Sequence, residues 1–131
     1  MHTEFIITKN GPILIEVNPR LGGAMIGKMI SCAYKFNFYE AILQLTLGKN
    51  PTIPDKPNKA ATEYYLYPNV KGTITNVSDI ARTCPGAISI TQHIKKNHYM
   101  GPPTNYRSKA IASILTEGNS TTHSITNALQ P

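Results

Sequence analysis

Alternation of apolar and polar residues is clearest at the start of the chain. Thr3 to Thr8 (TEFIIT) and Ile13 to Asn18 (ILIEVN) are rich in β-branched residues and predict two strands. Lys9-Asn10-Gly11 predicts a three-residue hairpin loop, with Gly11 in the left-handed position and Thr8 facing Pro12. Pro12 removes one ladder donor, which a strand tolerates at its first residue. The spacing then turns helical. Ala24 to Tyr34 is apolar and helix-compatible. A second helix starts at an Asn37 cap, with Glu40 at the capping-box position, Ala41, Ile42 and Leu45 on the inner face, and a stop at Gly48.

Lys49 to Lys59 holds Pro51, Pro54 and Pro57 and reads as an extended connector. Beyond it the pattern predicts strands at Thr62 to Tyr67, Gly72 to Val77, Ala87 to Thr91 and Ser108 to Thr116, with a short helical turn at Ser78 to Arg82. A last amphipathic helix starts at Ser120 or Thr121 and carries Ile125 and Leu129. The order predicts an α+β fold without internal repeats. Tyr64, Tyr65 and Tyr67 are expected to pack a sheet, and Cys32 to lie in a helix core.

Composition narrows the class. With 131 residues and 40% apolar content, the chain is one domain, or one piece of a larger one, with enough apolar surface for a core. No apolar run is long enough to span a bilayer and residues 1–20 lack a secretory pattern, so a cytoplasmic protein without a membrane partner is expected. Cys32 and Cys84 show no CxxC or Cys/His spacing and read as reduced thiols. The formal charge of +6 raises the question of nucleic acid. The basic residues are scattered, however, and Lys95, Lys96, Arg107 and Lys109 have no aromatic platform motif, which argues against that partner. The same charge suits phosphate-bearing ligands.

The candidate chemistry sits in EVNPRLGG, Glu16 to Gly23. Glu16 and Asn18 project to one face of their strand, because side chains alternate with period two. In the expected register Glu4 lies directly opposite Glu16, and opposed Cβ atoms are only about 4.5–5.5 Å apart. Carboxylates that close repel unless a cation lies between them; magnesium takes hard oxygen ligands, and Asn18 supplies a third. A slip of one residue would turn Glu4 to the other face. Past Pro19, Arg20 projects where a guanidinium can clamp a phosphate or carboxylate, and Gly22 and Gly23 leave room for close backbone approach to a ligand. The residues alone fit two readings: a metal-bound polyphosphate site of the phosphoryl-transfer kind, or an exposed hairpin with ordinary surface charges. Among the histidines, His2, His93, His98 and His123 lack metal-ligand spacing. His2 shares the face of Glu4 but reads as an ordinary surface or terminal residue. His93 to Lys109 reads as a solvated hairpin connection, with a loop reaching substrate or a partner subunit as the sharper alternative.

HTEFIITKNGPILIEVNPRLGG strongly resembles the end of the ATP-grasp domain of carboxylate–amine ligases, carboxylases and related enzymes. That family carries an acidic residue on one strand and E-x-N-x-R on the next. Its RLGG ending is closer to amino-acid ligases and purine-pathway members than to biotin carboxylases. The resemblance implies that Glu4, Glu16 and Asn18 bind magnesium or manganese, that Glu16, Asn18 and Arg20 contact the ATP co-substrate, and that Arg20 serves catalysis at the phosphate or activated carboxylate. More loosely, Asn37 to Gly48 is similar to the family's helix ending in "LG", and Gly72 to Val77 with Arg107 to Leu129 fit its small β-rich C-terminal domain. The implied layout is 1–50 as the end of an ATP-grasp domain, 51–60 as a Pro-rich connector and 61–131 as a small α+β C-terminal domain. The implied reaction phosphorylates a small carboxylate with ATP and passes the acyl group to an amine. Most of the family's nucleotide-binding half has no counterpart in the 131 residues. The chain is therefore expected to be a fragment, a truncated reading frame or one part of a split enzyme, inactive alone. The alternative is a non-catalytic folding or dimerisation module, whose bare strand edges favour a homodimer.

Overall fold

The computed structural model describes residues 1–76, 84, 86–105 and 108–129. Strands β1 (His2–Thr8) and β2 (Gly11–Asn18) form an antiparallel two-stranded sheet. The turn is tighter than the expected three-residue loop: Thr8 pairs with Gly11, and Ile7, not Thr8, faces Pro12. Gly11 has φ +106°, a backbone that side-chain-bearing residues rarely adopt. Thr8 closes the turn, its Oγ1 donating to the Gly11 carbonyl (2.8 Å) and accepting from the Asn10 N–H (3.2 Å). Carried on unbroken, this register would set Glu4 against Ile15. It does not run unbroken. Between Glu4 and Phe5 a β-bulge leaves Ile15 as the extra residue, and Glu4 then pairs with Glu16, Thr3 with Val17 and His2 with Asn18.

Helix α1 (Ile26–Tyr34) starts two residues later than expected. Ala24 is left-handed (φ +54°), and Met25 at the N-cap has no side-chain cap of its own. Its N–H instead donates to Glu63 Oε2 at 3.1 Å, a bond reaching across 38 residues. Helix α2 (Phe38–Thr46) has the expected ends. Asn37 Oδ1 accepts from the Glu40 N–H (3.1 Å), while Glu40 itself accepts from Gln44 rather than closing a capping box. At the other end the Gly48 N–H reaches the Leu45 carbonyl and the Lys49 N–H the Gln44 carbonyl, the pair of bonds that satisfies a helix's last acceptors. The connector is anchored too, since the N–H groups of Asn58 and Lys59 both donate to the Ala33 carbonyl.

The second sheet has the antiparallel order β3 (Ala60–Leu66), β7 (Ala112–Gly118), β5 (Ala87–Gln92). Strand β7 is central and begins four residues later than expected. Ala112, Ser113, Ile114, Leu115 and Thr116 are all buried, so both of its faces are covered. A short pair, β4 (Gly72–Ile74) with β6 (His98–Met100), lies beside it. Strand β6 falls inside the segment expected to be a solvated connection. Ile94, Ile111 and Ala112 form a core with Leu66, Ile74, Ile90 and Met100 packed against it. Tyr65 and Tyr67 are half-buried and Tyr64 is exposed, while Cys32 is half-buried and Cys84 buried, both as free thiols. Val77, the expected turn Ser78 to Arg82, Tyr106 and Arg107 lie outside the described residues.

Helix α3 (Thr121–Leu129) packs on β7 and β3. Ser120 Oγ caps it by accepting the His123 N–H at 3.1 Å. Behind the cap, Thr116 Oγ1 donates to the Ser124 carbonyl (2.8 Å) and Thr62 Oγ1 meets Ser124 Oγ (2.7 Å), so these polar groups are paired. Helix α1 also rests on β3, and Lys35 just past its end pairs with Glu117. The described chain is thus α+β with three helices, and no helix in it is long and apolar enough to cross a membrane.

Gly118 provides the sharpest test of this packing. A Cβ there would lie 2.5 Å from the Ser124 nitrogen and 2.9 Å from the His123 carbonyl carbon, both backbone atoms that cannot swing aside. Gly118→Ala is expected to destabilise the protein by at least ~2 kcal/mol in denaturant unfolding. Gly72→Ala, where nothing lies within 4 Å, should stay within about 1 kcal/mol of the parent.

Candidate metal centre

The bulge decides what this hairpin can do. Without it, Glu16 would pair with Thr3 and point away from Glu4. With it, His2 and Glu4 on β1 share one face with Glu16 and Asn18 on β2. One donor atom each from His2, Glu4 and Glu16 lie within 4.8 Å of one another, and among the described residues this is the one such group of three or more His, Cys, Asp or Glu side chains.

Asn18 Nδ2 donates to Glu16 Oε1 at 2.7 Å, fixing the carboxylate and leaving Oδ1 as the amide's oxygen donor. Glu4 and Glu16 are exposed, as a site open to ligand requires. His2 is a quarter exposed, and its Nδ1 lies 3.7 Å from Glu4 Oε1. That nitrogen is sealed from solvent and makes no hydrogen bond.

Beyond the strand, Arg20 is exposed and its Nη1 donates to the Leu21 carbonyl at 3.1 Å. The two glycines behave differently. A Cβ at Gly22 would lie 2.9 Å from Ile26 Cδ1 and 3.2 Å from His2 Cδ2, so this glycine makes room for the histidine ring and α1. Gly23 has nothing within 4 Å and is the open one.

The structure brings His2, read from the sequence as an ordinary surface or terminal residue, beside Glu4 and Glu16. The available signal was its two-residue spacing from Glu4, which places both on one strand face. The other histidines are engaged elsewhere or stand apart. His93 Nε2 is 3.0 Å from the buried Ser113 Oγ and its ring stacks on Tyr65. His123 Nδ1 accepts from the Asn119 N–H.

The site is tied to the rest of the fold through Glu63. Its carboxylate holds the Met25 N–H, at the end of the loop that leaves Arg20. Two residues along β3, burial pushes the Tyr65 phenol up to about 12, helped by hydrogen bonding and charge from Glu63 and by Tyr67. A contrasting surface lies on the hairpin: Phe5, Ile6, Ile7, Ile13, Leu14, Ile15 and Val17 are each about half exposed or more.

No family model matches the sequence. Among curated proteins, the uncharacterized protein y4rH of Sinorhizobium fredii is 27% identical over 94 residues, covering 70% of this chain and 20% of that protein. The L-arginine-specific L-amino acid ligase of Bacillus subtilis is 26% identical over 80 residues, covering 60% of this chain and 19% of the ligase. The chain therefore spans about a fifth of the length of these relatives. Among solved structures, an L-amino acid ligase from Bacillus licheniformis superposes with a TM-score of 0.74 at 21% identity, over 92% of this chain and 31% of its own. Phosphoribosylglycinamide synthetase from Anaerococcus prevotii superposes with a TM-score of 0.70 at 17% identity, over 92% and 32%.

The raised Tyr65 pKa makes one prediction. Between the ordinary value of 10.0 and about 12 the unfolded chain has lost this proton and the folded chain keeps it. The folded state therefore loses stability as pH rises through that window, and Tyr65 makes no such contribution below it. Ultraviolet titration should show a phenolate transition near pH 12 that Tyr65→Phe removes.

Proposed function

From the fold that this chain shares with ATP-grasp ligases over 92% of its length, we propose that it carries the metal-binding end of the active site of an ATP-dependent ligase. The reaction activates a small carboxylate as an acyl phosphate for attack by an amine. The observation behind this reading is the bulged register that opposes Glu4 to Glu16. The donor set fits a divalent cation: two exposed carboxylates and an amide, with a buried nitrogen that has no hydrogen-bond partner. The proposed layout keeps 1–50 as the end of the ATP-grasp domain, 51–60 as the connector and 61–131 as the C-terminal domain. Turnover is assigned to the assembled enzyme, because the chain covers only about a third of each structural neighbour. ATP as co-substrate and two free thiols suit a cytoplasmic setting.

In this reading Glu4 and Glu16 hold the cation and Asn18 fixes the Glu16 carboxylate. Magnesium or manganese, when bound, neutralises charge on the phosphates. Arg20 leaves the Leu21 carbonyl to grip the transferring phosphoryl group or the carboxylate with two N–H donors. The substrate carboxylate oxygen attacks the γ-phosphorus, the bond to the bridging oxygen breaks and ADP departs. The amine then attacks the acyl carbon, inorganic phosphate leaves with the former carboxylate oxygen, and the amine's proton passes to solvent. Binding of L-amino acids as the carboxylate and the amine is supported by the ligase relatives.

The apolar hairpin surface favours a second reading, a non-catalytic module that docks or dimerises through β1 and β2. ADP release separates the two. With mixed L-amino acids as probe, Glu16→Gln in the assembled enzyme is expected to lower amine-dependent ADP release at least about a hundredfold with an unchanged circular dichroism spectrum. Parental turnover in that variant contradicts the assignment and favours the module.

A further inference from the structure

We infer that His2 is a nitrogen ligand in this centre, and that the site consequently prefers a transition-series divalent cation to magnesium. The inference rests on the proposed carboxylate site and adds a ligand to it. Three observations carry it. First, His2 Nδ1 is shielded from water and makes no hydrogen bond, which is rare for a buried polar atom without a further partner. Second, the 3.7 Å gap to Glu4 Oε1 is too long for a hydrogen bond, whose upper range is about 3.2 Å, so Glu4 does not satisfy that nitrogen. The same gap suits two ligands of one ion, which at about 2.1 Å each can stand up to about 4.2 Å apart. Third, one edge of the ring lies against Gly22, where a Cβ would stand 3.2 Å from His2 Cδ2. A donor restricted on one side loses less freedom on binding.

The chemistry follows from donor type. Oxygen donors alone suit magnesium, whereas an imidazole adds affinity for transition-series ions, least for manganese and more for cobalt, nickel and zinc. Oxygens from Glu4, Glu16 and Asn18 with the His2 nitrogen form a mixed set of three oxygens and one nitrogen.

The test titrates the chain with manganese and with magnesium, and records electron spin echo modulation of the manganese complex. The expected spectrum shows nitrogen modulation from a directly bound imidazole. His2→Gln should remove it, weaken manganese binding about tenfold and change magnesium binding less than about threefold. Absence of nitrogen modulation in the parent complex, with Glu16→Gln still abolishing manganese binding, overturns the role of His2 while the carboxylate site stands. Equal weakening of both ions by His2→Gln also overturns it, leaving His2 as a partner of Glu4 only. If Glu16→Gln leaves manganese binding unchanged, the carboxylate site and the inference built on it both fall.

Discussion

Two carboxylates are held facing each other across a two-stranded sheet, and that repulsion is the constraint around which the rest of this structure makes sense. Glu4 and Glu16 reach this position only because Ile15 is an extra residue in β2. A one-residue offset is enough, since a strand's side chains alternate faces. The repulsion is partly relieved by the Asn18 N–H on Glu16. On the other strand His2 Nδ1 stands 3.7 Å from Glu4 Oε1, and in the proposed site a bound cation would offset the remaining like charge between donors that already face one another. A bulge beside a binding site is a common way to re-aim a side chain. Here it changes which residue Glu16 opposes.

An isolated hairpin of this kind is marginal in water, and this one exposes apolar side chains along most of its length. The surrounding fold supplies part of what it lacks. Gly22 stands between the His2 ring and Ile26, and a Cβ there would crowd both. Helix α1 in turn packs on β3, and Glu63 on that strand holds the N–H of Met25 at the helix start. The sheet beneath is organised by β7, whose buried run from Ala112 to Thr116 is covered on both faces. The buried sheet is thus tied to the start of α1, which follows the loop carrying Arg20 and Gly22. Elements with exposed chemistry stand on elements with buried packing.

How much of this was legible beforehand depended on the range of the interaction responsible. The Asn37 cap and the Gly48 stop obey local rules and sit where the residues predict. The pairing of Glu4 with Glu16 was also expected, yet by a different route. The loop is one residue shorter than the Lys9-Asn10-Gly11 turn suggests, and the bulge restores the register that this would have lost. Ile15 carries no local mark of a bulge, being a β-branched residue in a β-rich run. Strand β6 was not legible because three residues, His98 to Met100, become a strand only by pairing with Gly72 to Ile74. The late start of β7 has a similar cause. Ile111 just before it is held by two backbone bonds outside the ladder, from its N–H to the Leu66 carbonyl and from the His93 N–H to its own carbonyl. His2 was visible in its spacing from Glu4; what could not be read was the burial of its Nδ1.

The account stands or falls on whether one ion bridges the two strands at the bulge. Crystals grown with manganese and measured near its absorption edge answer this directly. The account predicts one anomalous peak within ligand distance of a carboxylate oxygen from each of Glu4 and Glu16. A map with no peak there at saturating manganese, or with a peak touching only one of the two carboxylates, would contradict it.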